Sequence, residues 1–306
     1  MAYFLQQLIN GIAQGGMYAL IALGYTMVYG IVELINFAHG DVYTLGTFLC
    51  IAILAAIGVA EGGHVIGGWQ GALIALLVIA LAALLCGVIG VLIERLAYRR
   101  LRNAPRLAPL ITAIGVSFLL QGIMRNWKGP SEISFPQFLP NPTFAFNGVH
   151  VDARELLVVA VSVAMMIVLQ LFIYNTKIGK AMRATAQDRD AAALMGINVN
   201  STIAWTFFIG SALAGVAGFI SGMYFGTTMF TNGYQAGLKA FTAAVLGGIG
   251  NIAGAMLGGF LIGIVEAFTS GYISDQWTNV VVFSILVLIL VFRPAGLLGE
   301  QLPEKV

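Results

Sequence analysis

The chain has 306 residues, of which 59% are hydrophobic and only 9% are charged, with a net charge of +2. Ordinary soluble domains carry about 25% charged residues, so lipid rather than water must surround most of this protein's surface. In lipid, only helices and closed barrels satisfy all the hydrogen-bonding groups of their own backbone. The apolar runs are longer than the alternating ten-residue strands of a barrel. The composition therefore predicts an all-α integral membrane protein and argues against nucleic-acid binding.

Apolar runs of membrane-spanning length follow one another along the whole chain. A spanning helix needs about 20 mostly apolar residues. The runs predict a polytopic bundle, a single domain over residues 1–306, with about nine helices and a range of eight to ten. Their approximate positions are residues 8–31, 41–58, 72–94, 107–122, 156–174, 203–225, 238–250, 252–269 and 280–292. The pieces at 238–250 and 252–269 are short and glycine-rich, and are expected to cross or half-cross the membrane.

The basic residues indicate which loops face the cytoplasm. Of the 15 Lys and Arg residues, all but four lie in residues 95–106, in residues 177–189 or in the C-terminal tail. Because cytoplasmic loops are enriched in Lys and Arg, these three regions are predicted to be cytoplasmic and the N-terminus extracytoplasmic. The segment at 126–155 is then an extracytoplasmic loop. The remaining basic residues are expected outside or at the outer interface: Arg125, Lys128, Arg154 and Lys239.

A polar segment at residues 175–200 stands between two membrane-length runs. Four basic and two acidic residues fall within it between positions 177 and 190. Charge runs are usually only solvated faces. Here, however, the segment interrupts a strongly apolar chain, which favours a water-exposed helix that receives force from a separate motor protein.

Two glycine-containing regions are candidates for the path of a transported molecule. Residues 33–41 carry Glu33, His39 and Asp41 without a basic residue; they are functional if they enter the bilayer and merely hydrated if they form an interfacial loop. Residues 247–254 either pack helices closely or break a helix whose N-terminus suits a substrate carboxylate. Glu266 is either a pathway group or a packed side chain. The pathway candidates are Asn36, Phe37, His39, Gly40, Gly247, Gly250, Asn251 and Glu266.

The sequence contains no pattern typical of an enzyme or a metal site. There is no Cys/His cluster with metal-ligand spacing, and the phosphate-binding pattern fails because Gly179 and Lys180 are followed by Ala181. We therefore expect no catalytic residue, no metal and no cofactor in this chain. Energy for transport must come from an ion gradient or from another polypeptide.

Several motifs resemble one family of transport proteins. Residues 190–196 fit the E-A-A-x-x-x-G loop of binding-protein-dependent ABC importer permeases, with Asp190 in place of the usual Glu. Residues 18–30, 35–40, 179–184 and 239–250 look like the branched-chain amino-acid branch of that family, and in particular its LivH-type subunits. The resemblance covers nearly the whole chain. The I-x-L-P ending found in other importer classes is absent.

The resemblance implies a bacterial inner-membrane permease for leucine, isoleucine and valine. Its implied partners are a second, unlike permease, two cytoplasmic ATPases that bind ATP and Mg, and an extracytoplasmic binding protein. A helix from about residue 179 to 195 would dock into a groove on the ATPase. The residues assigned to this coupling are Gly179, Arg183, Asp188, Arg189, Asp190, Ala191, Ala192 and Gly196. Gly196→Arg, or a bulky residue at Ala192, is expected to abolish uptake without preventing insertion.

Other interpretations remain open at this point. Related permeases carry urea or short amides, and an uncharged, glycine-rich path suits them equally well. An ion-coupled carrier or channel would use Glu33, His39, Asp41 and Glu266 as its ion-handling groups. A membrane scaffold without transport activity is the third alternative.

Overall fold

The computed structural model describes residues 1–32, 35–59, 65–102, 104–105, 107–146 and 148–299. Of the features considered above, Glu33, Arg106 and the end of the C-terminal tail lie outside these residues. The helices are α1 Ala2–Val32, α2 His39–Ala56, α3 Gly68–Ile93, α4 Leu107–Lys128, α5 Ala153–Asn175, α6 Lys177–Gln187, α7 Arg189–Leu194, α8 Val199–Phe225, α9 Asn232–Gly247, α10 Ile252–Tyr272 and α11 Asp275–Phe292. The strands are β1 Ile133–Ser134, β2 Thr143–Phe146, β3 Val149–Asp152 and β4 Thr227–Thr228.

Eight helices in the described part of the chain are long and apolar enough to span a membrane: α1, α2, α3, α4, α5, α8, α10 and α11. Helix α9 has only 16 residues, which is about 24 Å at the α-helical rise and is shorter than the hydrocarbon core. The predicted all-α polytopic bundle is therefore confirmed, as eight spans and one short helix. Of the two glycine-rich pieces predicted to be short, only the first, α9, is short. The second is α10, which continues to Tyr272 and is long enough to span a membrane.

Helix α1 is the centre of the bundle. In the most apolar 18-residue stretch of α1, 89% of the residues are buried, whereas in that of α11 only 11% are buried. Small residues allow α1 and α10 to approach closely: a Cβ added to Gly15 would lie 2.6 Å from the Cα of Phe260, and one added to Gly259 would lie 2.5 Å from the Cα of Ala19. In lipid, van der Waals contact of this kind holds helices together.

Contacts between helix ends define the two ends of the bundle. At one end the Tyr3 hydroxyl donates to the carbonyl of Gly271 at 2.6 Å. At the opposite end Arg102 donates to the side chain of Asn200 at 2.6 Å, and the Leu298 amide donates to the carbonyl of Gly247 at 2.9 Å. We call the first the outer end and the second the coupling end. The N-terminus and Gly299 therefore lie at opposite ends.

The outer end carries the short strands. Strand β2 pairs with β3 as an antiparallel hairpin, and β1 pairs with β4. Asp152 and Glu155 form a capping box at the start of α5. The polar stretch predicted at 126–155 is therefore a hairpin-containing loop bounded by α4 and α5, and both of these helices extend into it by three residues.

Helix α2 begins inside the bundle rather than at its end. The His39 imidazole occupies the space beside Gly24, where a Cβ would lie 2.2 Å from Nε2. Gly24 lies eight residues before the end of α1, or about 12 Å along the helix. The start of α2 therefore lies beside α1, about 12 Å inside the end of that helix.

Candidate functional site

The charged segment at the coupling end is two helices joined at Asp188. A single helix over residues 179–195 was expected, and this expectation is wrong. Asp188 has extended backbone angles and its carboxylate accepts hydrogen bonds from the amides of Asp190 (2.9 Å) and Ala191 (3.0 Å). A short acidic side chain that caps a helix in this way competes with continuation of the preceding one. The break divides the segment into α6 and α7.

Helix α6 is held tightly against the end of α5. Thr176 caps it by accepting from the amide of Gly179 at 3.0 Å, and a Cβ at Gly179 would lie 2.2 Å from the carbonyl oxygen of Ile173. The Arg183 guanidinium donates to the same carbonyl and lies 5.0 Å from the Tyr174 ring. Gly179 and Arg183 thus fix the turn between the membrane and the segment.

Arg189 connects α7 to the rest of the bundle. Its guanidinium donates to the carbonyl of Val32 at the end of α1. It also lines a cleft of about 340 Å³ with Asp190, Arg99 and Arg102. Glu94, fully buried, pairs with Arg99 and Arg102. Glu94 therefore neutralises part of the positive charge of this basic region within the chain itself. Burial also lowers the pKa of the Arg102 guanidinium.

The remaining coupling candidates differ in accessibility. Ala192 is 4% exposed, so a bulky side chain there would disturb this chain before it reached a partner. Ala191 is exposed. Gly196 has a positive φ of 84° with open space around it, so Gly196→Arg would strain the backbone.

The sequence interpretation missed two exposed apolar side chains at the end of α7. Leu194 is 88% exposed and Met195 is 83% exposed, and they lie between the alanines and Gly196. Both are apolar residues at the water-facing end of a helix that the bundle does not cover. Large exposed apolar side chains of this kind mark protein contact sites when they lie together.

The first pathway candidates meet where α2 enters the bundle. The Asn36 side chain accepts from the Tyr98 hydroxyl at 2.9 Å, and the Phe37 ring lies 5.8 Å from that of Phe241. His39 is 1% exposed. A Cβ at Gly40 would lie 2.1 Å from the carbonyl oxygen of Gly233 in α9. The structure therefore brings residues 36–40 together as a re-entrant element against α1 and α9.

The second group of pathway candidates lies at the coupling end instead. Gly250 has a φ of 98° and approaches Gly30, two residues from the end of α1. Asn251 caps α10 by accepting from the Gly254 amide at 2.9 Å, and its amide donates to the carbonyl of Leu298 at 2.9 Å. Gly247 packs on Gly254. The break at these residues is thus a capped turn at the bundle end.

Glu266 is a packed side chain with two partners. It pairs with Lys239 at 2.6 Å and accepts from the Tyr18 hydroxyl at 2.8 Å. Lys239 was expected at the outer interface, and this is wrong: it is 8% exposed, inside the bundle between α1 and α10. A charge in the apolar interior needs a partner, and Glu266 on the neighbouring helix supplies it.

Asp41 is also bound within the chain. Its carboxylate accepts from the Ser117 hydroxyl and from the Gln121 amide, the latter at 3.0 Å, both on α4. Among the described residues no group of three His, Cys, Asp or Glu side chains is placed to hold a metal. The thiols of Cys50 and Cys86 are free and buried.

Comparison with known proteins covers nearly the entire chain. The family model described as branched-chain amino acid transport system / permease component matches residues 7–291. The chain is 46% identical to the high-affinity branched-chain amino acid transport system permease protein BraD of Pseudomonas aeruginosa, over 99% of this chain and 98% of that protein. It is 42% identical to LivH of Escherichia coli K12 over the same shares.

A more distant relative is the probable branched-chain amino acid transport permease protein LivH of Methanocaldococcus jannaschii. It is 26% identical over 68% of this chain and 63% of its own length. No solved structure matches the chain significantly. The re-entrant bundle and the exposed helical segment thus occur in a chain that, by its whole-length match, belongs to the family of branched-chain amino acid transport system permease components.

Proposed function

We propose that this chain is the transmembrane permease subunit of an ATP-driven importer for leucine, isoleucine and valine. The observation that carries the proposal is the exposed helix α7 at the coupling end of a chain in this permease family. The chain has no nucleotide-binding motif in its sequence, so in an ATP-driven importer a partner must supply the energy. ATP and Mg bind to that partner, and the chain itself needs no cofactor and catalyses no reaction.

The ATPase is proposed to dock on α7. Leu194 and Met195 provide an apolar contact of the kind that anchors a helix in a groove. Asp190, exposed in the adjacent cleft, supplies charge for orientation. Arg183, Asp188 and Arg189 act by positioning α6 and α7, because each binds the backbone of this chain.

The proposed assembly extends beyond the ATPases. Two ATPase subunits face the coupling end, a second and unlike permease subunit pairs with this one in the bacterial inner membrane, and an extracytoplasmic binding protein delivers substrate at the outer end. The ATPases favour one of two bundle conformations, each open to one side. An ion-coupled carrier is disfavoured because Asp41 and Glu266 are both bound to neighbouring side chains.

The test is an uptake assay in a strain that lacks only this chain. The restored chain should return uptake of labelled leucine, and unlabelled valine should compete while alanine and urea compete weakly. Stronger competition by urea than by valine would assign the chain to short-amide transport. Uptake by the purified chain alone in liposomes, driven by an ion gradient, would contradict ATP coupling.

A further inference from the structure

Two helices that meet within the bundle have N-termini without a side-chain cap. The residues before α2 and α9, Ala38 and Thr231, make no side-chain hydrogen bond to the helices they precede. Helix α3 is also uncapped but begins in the open outer loop. Six helices that begin at the bundle ends are capped, by Asp152, Thr176, Asp188, Asn198, Asn251 and Ser274. The first amides of both helices donate to preceding backbone carbonyls, that of His39 to Asn36 and that of Asn232 to Met229. The helix dipole leaves partial positive charge at a helix N-terminus, so α2 and α9 present two positive ends to each other.

The first turns of α2 and α9 are in backbone contact. A Cβ on Gly40 would lie 2.1 Å from the carbonyl oxygen of Gly233 and 2.8 Å from the Cα of Gly237. A Cβ on Gly237 would lie 3.1 Å from the Tyr25 hydroxyl. On the opposite side of α9, Gln235 in the first turn is exposed. The two N-termini are therefore closed on each other.

One polar side chain at this contact has no hydrogen-bond partner. The Thr44 hydroxyl is fully buried and unpaired, and a Cβ on Gly233 would lie 2.6 Å from it. The His39 ring is turned away from the contact, toward Gly24 of α1 and the backbone of Ile21. Buried polar groups in native proteins are normally paired, so an unpaired hydroxyl beside two helix N-termini indicates a missing polar ligand.

We propose that the carboxylate of the transported amino acid binds between the N-terminal turns of α2 and α9, with Thr44 as a side-chain donor. This assignment rests on the proposed function, which supplies a zwitterionic substrate. Helix N-termini bind anionic substrate groups in broken-helix transporters. Separation of α9 from α2 admits the carboxylate, so the contact of Gly40 with Gly233 is the closed form of the site.

The acidic side chain nearest in sequence does not occupy this position. Asp41, in the first turn of α2, is turned toward α4 and accepts from Ser117 and Gln121. These two donors stabilise its carboxylate away from the contact between α2 and α9.

A pair of variants at Thr231 tests the assignment. Thr231→Asp places a fixed carboxylate at the N-terminus of α9, and Thr231→Asn caps the same helix with a side chain of the same size and no charge. We expect the Asp variant to lower the rate of leucine uptake at least tenfold at equal membrane abundance, and the Asn variant to stay within about twofold of wild type. Equal uptake by the two variants would overturn the proposal.

A second measurement follows the ligand rather than transport. The purified transporter, with its partner subunits, is heated with L-leucine or with L-leucinol, which lacks the carboxylate. Leucine should raise the unfolding midpoint of the wild type and leucinol should not, and Thr44→Val should remove the shift. The control is Thr26→Val, which also deletes a buried, unpaired hydroxyl but lies seven residues after Ala19, on the face of α1 that packs against α10. An unchanged shift in Thr44→Val, or an equal response to leucinol, would overturn the site.

Different results would contradict the proposed function and the proposed carboxylate site. If deletion of the whole chain leaves leucine uptake unchanged, the proposed function is wrong. If deletion abolishes uptake and the two Thr231 variants behave alike, the function stands and only the carboxylate site is wrong.

Discussion

The charged side chains of the coupling segment bind the chain's own backbone. Arg183 donates to the carbonyl of Ile173, Arg189 donates to the carbonyl of Val32, and Asp188 caps α7. These are the carbonyls and amides that helix ends leave without partners. Charge in this segment therefore serves first to hold α6 and α7 in place against α5 and α1.

Gly179 is the residue where this attachment is most sensitive. In Gly179→Ala the new Cβ would lie 2.2 Å from the carbonyl oxygen of Ile173, so the turn between α5 and α6 must shift. We expect a loss of about 1–3 kcal/mol of stability, as for other overpacked sites, and a large loss of leucine uptake. The matched control is Gly122→Ala in α4, where nothing lies within 4 Å. Thermal unfolding of the purified variants measures the difference, and equal midpoints would contradict the steric argument.

The buried pair of Lys239 and Glu266 gives a second prediction at this scale. Both side chains are 10% exposed and their charged atoms are 2.6 Å apart. Lys239→Met leaves an unpaired carboxylate and should cost roughly 3–5 kcal/mol. The double variant Lys239→Met with Glu266→Met should recover much of that loss because both charges are removed. Membrane abundance and thermal unfolding report the result; a double variant less stable than the single one would show that the pair stabilises the bundle by itself.

At the scale of secondary-structure elements, α7 is the part of the bundle prepared for a partner. It is a six-residue helix, too short to be stable alone, and it is fixed by the Asp188 cap and by the Arg189 contact. Its rigid placement presents Leu194 and Met195 to water. An element that is held by the membrane helices on one side and apolar on the other can pass a displacement between a partner and α1.

Removal of these two apolar side chains should uncouple the transporter. In the double variant Leu194→Ser with Met195→Ser, we expect the chain to accumulate normally in the membrane and to lose ATPase association and leucine uptake at least tenfold. The control is Leu298→Ser, which removes a 46% exposed leucine at the same end. Association is measured by copurification with the partner ATPase. Normal association in the double variant would place the docking surface elsewhere.

At the scale of the whole molecule, the contacts between helix ends give one orientation for the chain. The β2–β3 hairpin lies at the outer end and α6 and α7 lie at the coupling end. From the predominance of basic residues near the coupling end, we propose that this end faces the cytoplasm. Substrate then enters from the side of the hairpin, and energy from the side of α7.

Cysteine labelling tests this orientation. The native thiols Cys50 and Cys86 are buried, so they give little background. Phe144→Cys, at an exposed position of the hairpin, should react with a membrane-impermeant thiol reagent added to intact spheroplasts. Gln187→Cys, exposed at the end of α6, should react only in inside-out vesicles. The reverse pattern would invert the assigned topology.

The limits of sequence-based prediction are visible in particular residues. The helices could be located because their apolar runs match the thickness of a bilayer, and the coupling segment was visible as a charge run in an apolar chain. The break at Asp188 was missed because an N-cap depends on local backbone geometry, and an acidic residue is equally compatible with a continuous helix. Lys239 was misplaced because its partner Glu266 is 27 residues away on another helix.

The amino-acid sequence alone determined that lipid surrounds this protein, that it is helical, which basic regions orient it, and which family it belongs to. These properties depend on composition and on local runs of residues. Only the tertiary structure decided which broken helix lies inside the bundle. Residues 247–254 proved to be a capped turn at the coupling end, whereas His39 and Gly40 begin a helix against Gly24 and Gly233. The physical reason is that glycine permits both a turn and a close helix contact, and which of them occurs depends on the residues brought opposite by the fold.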